Sequence, residues 1–553
     1  MKNLFIYLIL LFSISGFSQD EDAIVYFTNK PNSAAFFANP SIELSARSLA
    51  RRTTQNIPLI FNDAPINLQY VTNIEAANGV TVLAKSKWLN CVYVRGLQTD
   101  IVSLSSLAFV QNVKFLNASI LNRNNKPKAE KFIKSKPVVN INANQQPNSI
   151  FNYGQSFNQI HQMNGEILHQ QNFTGNGKVI AVLDSGFPGV DTAQPFQRLI
   201  NNNQILGGYD FVNDNNDYFS GHYHGTLVLS CMGGYTEGQL VGTAPDAKYY
   251  LYQTEDAESN APYDENPVEE AYWVEAAEEA DRVGADVITS SLGYFGYTNT
   301  NYSHTYSDMI GDKNFASKGL NIAFSKGIIC VVSAGNAGGD SEPHVGVPAE
   351  AITALAIGSV RADRIRSTFS SIGPSFDGRI KPDLMAQGSN SVLSYPDGTI
   401  GTNSGTSFSG PIFAGMITSF WQAVPTLTNQ QVIDLVRQSA DNFSTPNNQY
   451  GYGIPDFQLA LANVALSSES FSNQNIKLFG IAPNPTNSSI EISFPNEFNN
   501  ATISLFTVLG QNISKLEIDN NNPKLNFINF NSGIYLYKIE AGNYSQTGKI
   551  IKN

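Results

Sequence analysis

Between about residue 150 and residue 465 the chain repeats one pattern: a short, unbroken apolar run, a stretch of helical period, then another run. The runs are Val179–Leu183, Tyr249–Tyr252, Val287–Ile288, Ile328–Val332 and Ala354–Ile357, with helical segments such as Val268–Val283 and Asn314–Ser325 between them. A strand that is apolar at every position is buried on both faces, and strands alternating with helices join in parallel. The expected fold class is therefore α/β, an open parallel sheet with helices on both faces. In such sheets the reacting groups gather beyond the carboxyl ends of the strands, so the pattern also says where to look for chemistry.

Composition narrows the function. The formal net charge is −12 and the pI is near 5.0, which argues against nucleic acid as a partner, since that would need a basic face. Apolar residues at 42% suffice for a sizeable core, so wholesale disorder is excluded. The three cysteines, Cys91, Cys231 and Cys330, form neither a disulfide framework nor a Cys-x-x-Cys pair. Cys231 and Cys330 have apolar neighbours and read as buried, inert thiols.

Six segments are expected. Residues 1–18 read as a secretory signal: Lys2, the nine apolar or aromatic residues Leu4–Phe12, and small Gly16 and Ser18 before a cut at Gln19. The apolar run is too short to span a bilayer, so no transmembrane segment is expected after signal removal. Residues 19–125 read as a small α+β domain, with strands at Ala23–Phe27, Val80–Val94 and Phe109–Phe115 and helices at Ser41–Arg52 and Leu97–Leu107. Residues 126–148 form a polar linker, 149–465 the α/β domain, and 466–475 a second polar linker. Residues 476–553 carry alternating strands (Ser489–Phe494, Thr502–Val508, Leu525–Phe530 and Gly533–Ile539) and read as a small β-sandwich.

Three motifs in the α/β domain carry chemistry. Val179–Leu183 ends in Asp184-Ser185-Gly186. His224-Gly225-Thr226 opens an apolar helix, and Gly405-Thr406-Ser407-Phe408-Ser409-Gly410-Pro411 sets Ser407 at the start of another, with Pro411 suited to a first helical turn. A serine hydroxyl attacks a carbonyl poorly alone. It needs an imidazole to take its proton and a buried carboxylate to fix the imidazole's tautomer. A helix start favours the negative charge that develops beside the serine. Taken singly, these motifs are ordinary turns and caps; their joint occurrence points to nucleophilic acyl transfer. A metal pair at His222-x-His224 is the competing reading, but no third ligand accompanies it.

The order Asp184, His224, Ser407, with Asp-Ser-Gly, His-Gly-Thr and Gly-Thr-Ser around them, resembles the subtilisin-type serine peptidases. The resemblance covers residues 150–465 and implies Asp184, His224 and Ser407 as catalytic residues. It implies Asn336, in Ser333-Ala334-Gly335-Asn336, as oxyanion donor, and Ser291, Leu292, Gly293 and Gly335 as substrate-binding positions. Protein or peptide substrates follow. No metal is implied in catalysis; structural calcium is common in such enzymes, at a site the sequence does not locate. Two departures stand out: Leu227 where a second histidine is usual, and Phe408-Ser409 where Met-Ala is usual. The acidic stretch Glu255–Glu270 is expected either to shape the cleft or to be a solvated loop.

The flanking domains follow from that resemblance. Residues 19–125 are expected to be an inhibitory propeptide, with a permanent binding domain as the alternative. The last domain resembles the sorting domain of the Bacteroidetes type IX secretion system, through Ala482-Pro483-Asn484-Pro485-Thr486, Leu505–Gln511, Ser532–Lys538 and Gly548–Lys552. The implied partner is that secretion machinery and the implied location is outside the cell, secreted or attached to the surface. A carbohydrate- or protein-binding module with an exposed row of Tyr535, Tyr537 and Tyr544 is the alternative. For the whole chain, the rival to a zymogen of a secreted endopeptidase is a catalytically inactive subtilisin fold serving as adhesin or scaffold.

Overall fold

The computed structural model describes residues 20–117, 150–257, 265–471, 479–494, 498–507, 512–542 and 544–553. The expected signal and the first linker therefore lie outside the described residues. Two compact units divide the chain, Met1–Gln458 and Leu459–Asn553.

The first unit opens with β1 (Asp20–Phe27), α1 (Ala46–Thr54), β2 (Val80–Ser86), β3 (Cys91–Leu97) and β4 (Val110–Phe115), forming an antiparallel sheet of order β2-β3-β1-β4. Val80–Val94, read as one strand, is in fact a hairpin. The turn is taken at Asn90, whose φ of 52° suits asparagine's tolerance of the left-handed region. One face of the sheet buries Ala23, Val25, Val92 and Val94 against its own helix at Leu68–Glu75.

The α/β domain comprises β5 (Val179–Asp184), β6 (Ile205–Asp210), α2 (His224–Gly233), β7 (Lys248–Gln253), α3 (Glu269–Val283), β8 (Val287–Ser290), α4 (Phe315–Ser325), β9 (Ile329–Ser333), β10 (Leu355–Val360), β11 (Leu384–Gln387), α5 (Thr406–Ala423) and α6 (Asn429–Gln438). Seven strands form one parallel sheet in the order β11-β10-β9-β8-β5-β7-β6. The pleat sends alternate residues to opposite faces. Val179, Ala181 and Leu183 therefore join the cluster that includes Trp273, Leu320 and Ala323 of α3 and α4, while α2 and α5 cover the other face. The expected α/β architecture with helices on both faces is present. The edge strand β6 and the short β11 escaped the sequence pattern because Ile205–Asp210 contains two glycines and Leu384–Gln387 is only four residues long.

The position of Pro411 differs from the expectation. Helix α5 begins at Thr406, so Pro411 lies inside the helix rather than in its first turn. Proline has no N–H, which leaves the Ser407 carbonyl without its usual partner four residues on. Ser291 Oγ supplies the missing donor at 2.9 Å, tying the segment after β8 to the start of α5.

The second unit has β12 (Gly480–Ala482), β13 (Ser489–Ser493), β14 (Asn500–Phe506), β15 (Asn512–Asp519), β16 (Lys524–Asn526), β17 (Gly533–Ala541) and β18 (Tyr544–Lys552). They form two antiparallel sheets, β12-β13-β16 and β15-β14-β17-β18, around one core that includes Ile490, Ile503, Leu525 and Ile539. Tyr537 is buried in that core and Tyr535 packs against it, so these two do not form an exposed aromatic row. A helix, Phe457–Phe471, runs into the segment read as the second linker, whose residues 472–475 lie outside the described residues. No helix among the described residues is long and apolar enough to cross a membrane.

Candidate active site

The sheet places the site. Strand β5 lies where the strand order reverses, with β7 and β6 on one side and β8 to β11 on the other. That is the switch point of an open α/β sheet. Asp184 is its last residue and is fully buried; Oδ1 accepts from the Ser185 N–H at 2.8 Å and lies 2.7 Å from His224 Nδ1. Oδ2 is buried with no hydrogen-bond partner among the described residues. His224 begins α2, so its backbone is fixed by the helix while its ring reaches back to the end of β5.

Ser407 is the second residue of α5. A Cβ built on Gly405 would stand 3.7 Å from Ser407 N and 3.8 Å from Asn336 Nδ2, so two N–H groups converge beside this glycine. Asn336 follows the end of β9. Its Oδ1 accepts from Thr406 N at 2.9 Å and from Thr406 Oγ1 at 3.0 Å, which turns the Nδ2 amide toward the cleft. Thr406 Oγ1 in turn accepts from Gly335 N at 3.1 Å. The sequence motif gave Thr406 no role; in the fold it fixes which way Asn336 points.

An open cleft of about 300 Å³, solvent-filled space included, is lined by His224, Ser407 and Asn336 together with His222, Tyr223, Leu227, Asn403, Ser404, Gly405 and Phe408. Ser291, Leu292, Gly293 and Gly335 are not part of that lining. They run on from β8 and β9, with Ser291 bonded to the Ser407 carbonyl and Gly293 exposed. The Phe408 ring centroid is 6.2 Å from that of His224, so this departure from the usual methionine walls the histidine with an aromatic ring. Burial, aided by the neighbouring His224, pushes His222 down to about 4 and keeps it uncharged at neutral pH. Cys231 and Cys330 are free and buried, and burial raises both thiols, as expected of inert cysteines; Cys91 is also free and buried, and burial raises it too.

Among the described residues, one group of side chains could hold a metal. Glu255, Glu265 and Glu269 are buried and offer carboxylate oxygens within 4.8 Å of one another. The donor type suits a hard cation such as calcium, but three carboxylates are fewer than the six to eight oxygens calcium takes. Glu269 also accepts from the backbone N–H groups of Asp256 and Asn266.

Fold and site together define a class, the serine peptidases built on a parallel α/β sheet. The family model of the subtilase family matches residues 175–453. The Bacteroidota peptidase S8 propeptide domain matches residues 22–132, and the secretion system C-terminal sorting domain matches residues 480–553. Among curated relatives, subtilisin of Bacillus pumilus is 30% identical over 304 residues, covering 54% of this chain and 97% of that protein. Subtilisin NAT of Bacillus subtilis subsp. natto is 29% identical over 365 residues, 65% of this chain and 85% of that protein. The crystal structure of the epidermin leader peptide processing serine protease from Staphylococcus aureus shares the fold, with a TM-score of 0.52 at 16% identity, over 83% of this chain and 100% of that one. The chain belongs to the subtilase family of serine peptidases, with a propeptide of Bacteroidota type before the peptidase domain. The sorting domain after it marks the protein for type IX export to the cell surface or the medium.

Proposed function

We propose that the chain is the zymogen of a secreted endopeptidase acting through Asp184, His224 and Ser407. The observation that carries the reading is the buried 2.7 Å contact of Asp184 Oδ1 with His224 Nδ1, behind a cleft that His224 lines together with Ser407 and Asn336. The contact fixes the tautomer with the proton on Nδ1, leaving Nε2 to accept the Ser407 hydroxyl proton as Oγ attacks the scissile carbonyl. The oxyanion is met by Asn336 Nδ2 and the Ser407 N–H. His224 then protonates the leaving amine as the C–N bond breaks, giving an acyl-enzyme on Ser407. Water, deprotonated by His224, hydrolyses it and restores the hydroxyl. Asp184 stabilises the imidazolium throughout.

The substrate backbone is held as a strand along Ser291–Gly293 and Gly335, with the exposed Gly293 admitting close approach. Residues 19–125 keep the enzyme silent until export is complete. Catalysis uses protein groups alone. Any calcium is structural, with the Glu255, Glu265 and Glu269 carboxylates as part of its oxygen shell.

A fluorophosphonate probe tests the reading. Peptide mapping of the exported, trimmed protein is expected to find one adduct, on Ser407, absent from Ser407→Ala. A folded and trimmed protein that takes no label would establish the inactive scaffold instead.

A further inference from the structure

Helix α1 of the propeptide domain lies across the C-terminal ends of two peptidase helices, α3 and α4. These ends carry carbonyl oxygens without helical partners and a partial negative charge, and so attract cationic donors. Arg51 uses all three guanidinium nitrogens there: Nε donates to Lys326 O at 3.0 Å, Nη1 to Ala285 O, and Nη2 pairs with Asp281. Arg52 is bidentate on Asp281, 2.8 Å to each oxygen, and also pairs with Asp63 at 2.8 Å. Lys326 of the peptidase closes the circuit on Asp63 at 3.0 Å. Arg47, one turn before Arg51, donates to Gly284 O at 2.9 Å and pairs with Asp286. Gln55 bonds Gly327 O at 2.8 Å and receives Asn429 N at 3.0 Å.

The fit is close as well as charged. Gly284 and Gly327, which end the two peptidase helices, have φ of +89° and +87°, and a Cβ on either would stand under 3.0 Å from α1 or Gln55 atoms. Arg51, Arg52, Asp63, Asp281 and Lys326 are all buried. A second, apolar contact lies at the other end of α3, where Ile24 and Tyr93 pack on Val268, Ala271 and Tyr272. Between the two, Glu278 accepts from Ser86 Oγ and from the backbone N–H groups of Lys87 and Trp88.

We propose that the joined C-terminal ends of α3 and α4 form a recognition site for an arginine-bearing helix, occupied by this chain's own Ala46–Thr54, and that this site makes the peptidase domain selective for its own propeptide. The inference rests on the zymogen reading. Lysine does not replace the arginines, because its three donors leave a single nitrogen, whereas Arg51 reaches two carbonyls and a carboxylate from three separate nitrogens held in one plane. The apolar end of α3 would accept many sheets; the arginine socket accepts a particular spacing, positions i, i+4 and i+5 of one helix.

The test uses the full chain with Ser407→Ala and a site-specific protease sequence placed within residues 126–148. After the cut, the affinity of the released propeptide for the rest of the protein is measured. Arg51→Ala/Arg52→Ala is expected to weaken it by about a hundredfold or more, since it leaves buried carboxylates unpaired. Arg51→Lys/Arg52→Lys is expected to recover little. Asp281→Asn is expected to weaken affinity comparably, and its combination with the arginine variants to cost no more than either alone. Wild-type-like affinity in the alanine variant, or purely additive losses, would overturn the proposal. If the alanine variant does not fold, Arg47→Ala decides, because its pair is partly exposed: an affinity unchanged from wild type overturns the site. The zymogen reading is tested apart from this, in the Ser407 parent, where it fails if the bound propeptide leaves peptide hydrolysis unaffected.

Discussion

Single residues set the chemistry and part of the stability. On the proposed mechanism Asn336 Nδ2 meets the oxyanion only as its charge develops, so Asn336→Ala is expected to lower kcat by about 10²–10³ with little change in KM, read from initial rates on a peptide substrate. Thr406 touches no reacting atom and acts through Asn336 Oδ1. Thr406→Val is expected to lower kcat about tenfold, again sparing KM, because the backbone bond from Thr406 N remains. His169 governs a different property. It is buried between the Tyr153 hydroxyl, 2.8 Å from Nδ1, and Thr243 O, 3.1 Å from Nε2, and burial pushes it down to about 4 despite the Thr243 bond. The unfolded chain takes up this proton first, near 6.5. Its contribution is therefore complete above that value and is lost as the pH falls through about 4, by about 3 kcal/mol in all. The melting temperature should fall over that window, and the fall should be shallower in His169→Gln.

At the scale of elements, the junction of β8 with α5 matters most. Pro411 lies inside α5, and Ser291 Oγ repairs the hydrogen bond that it removes. Ser291→Ala should leave the Ser407 carbonyl buried and unpaired, at a cost of about 1–3 kcal/mol. Adding Pro411→Ala returns an N–H to that carbonyl, so the double variant should melt closer to wild type than Ser291→Ala does. A double variant that melts lower still would show that Pro411 itself shapes the start of α5. A capping box between Thr428 and Gln431 opens α6.

Over the whole molecule, three segments divide the work: one docks on the peptidase helices, one carries the site, and one directs export. Deleting residues 480–553 is expected to keep the peptidase inside cells that have the type IX system, as read by fractionation and immunoblotting. Release to the medium at wild-type level would remove the sorting role.

The sequence by itself determined the class of fold, because fully apolar runs alternating with helices have few solutions other than a parallel sheet covered on both faces. It also located Asp184, His224 and Ser407, since each sits in a local motif at a strand end or a helix start. Tertiary structure alone decided what depends on separated segments meeting. The hairpin within Val80–Val94 depended on one left-handed asparagine, and the position of Pro411 depended on where α5 begins. The orienting of Asn336 by Thr406, 70 residues away, and the seating of Arg51 and Arg52 on Asp281 leave no local pattern. Hydrogen bonds and ion pairs across such distances follow from how the sheet brings its strand ends together, and local periodicity carries no information about that.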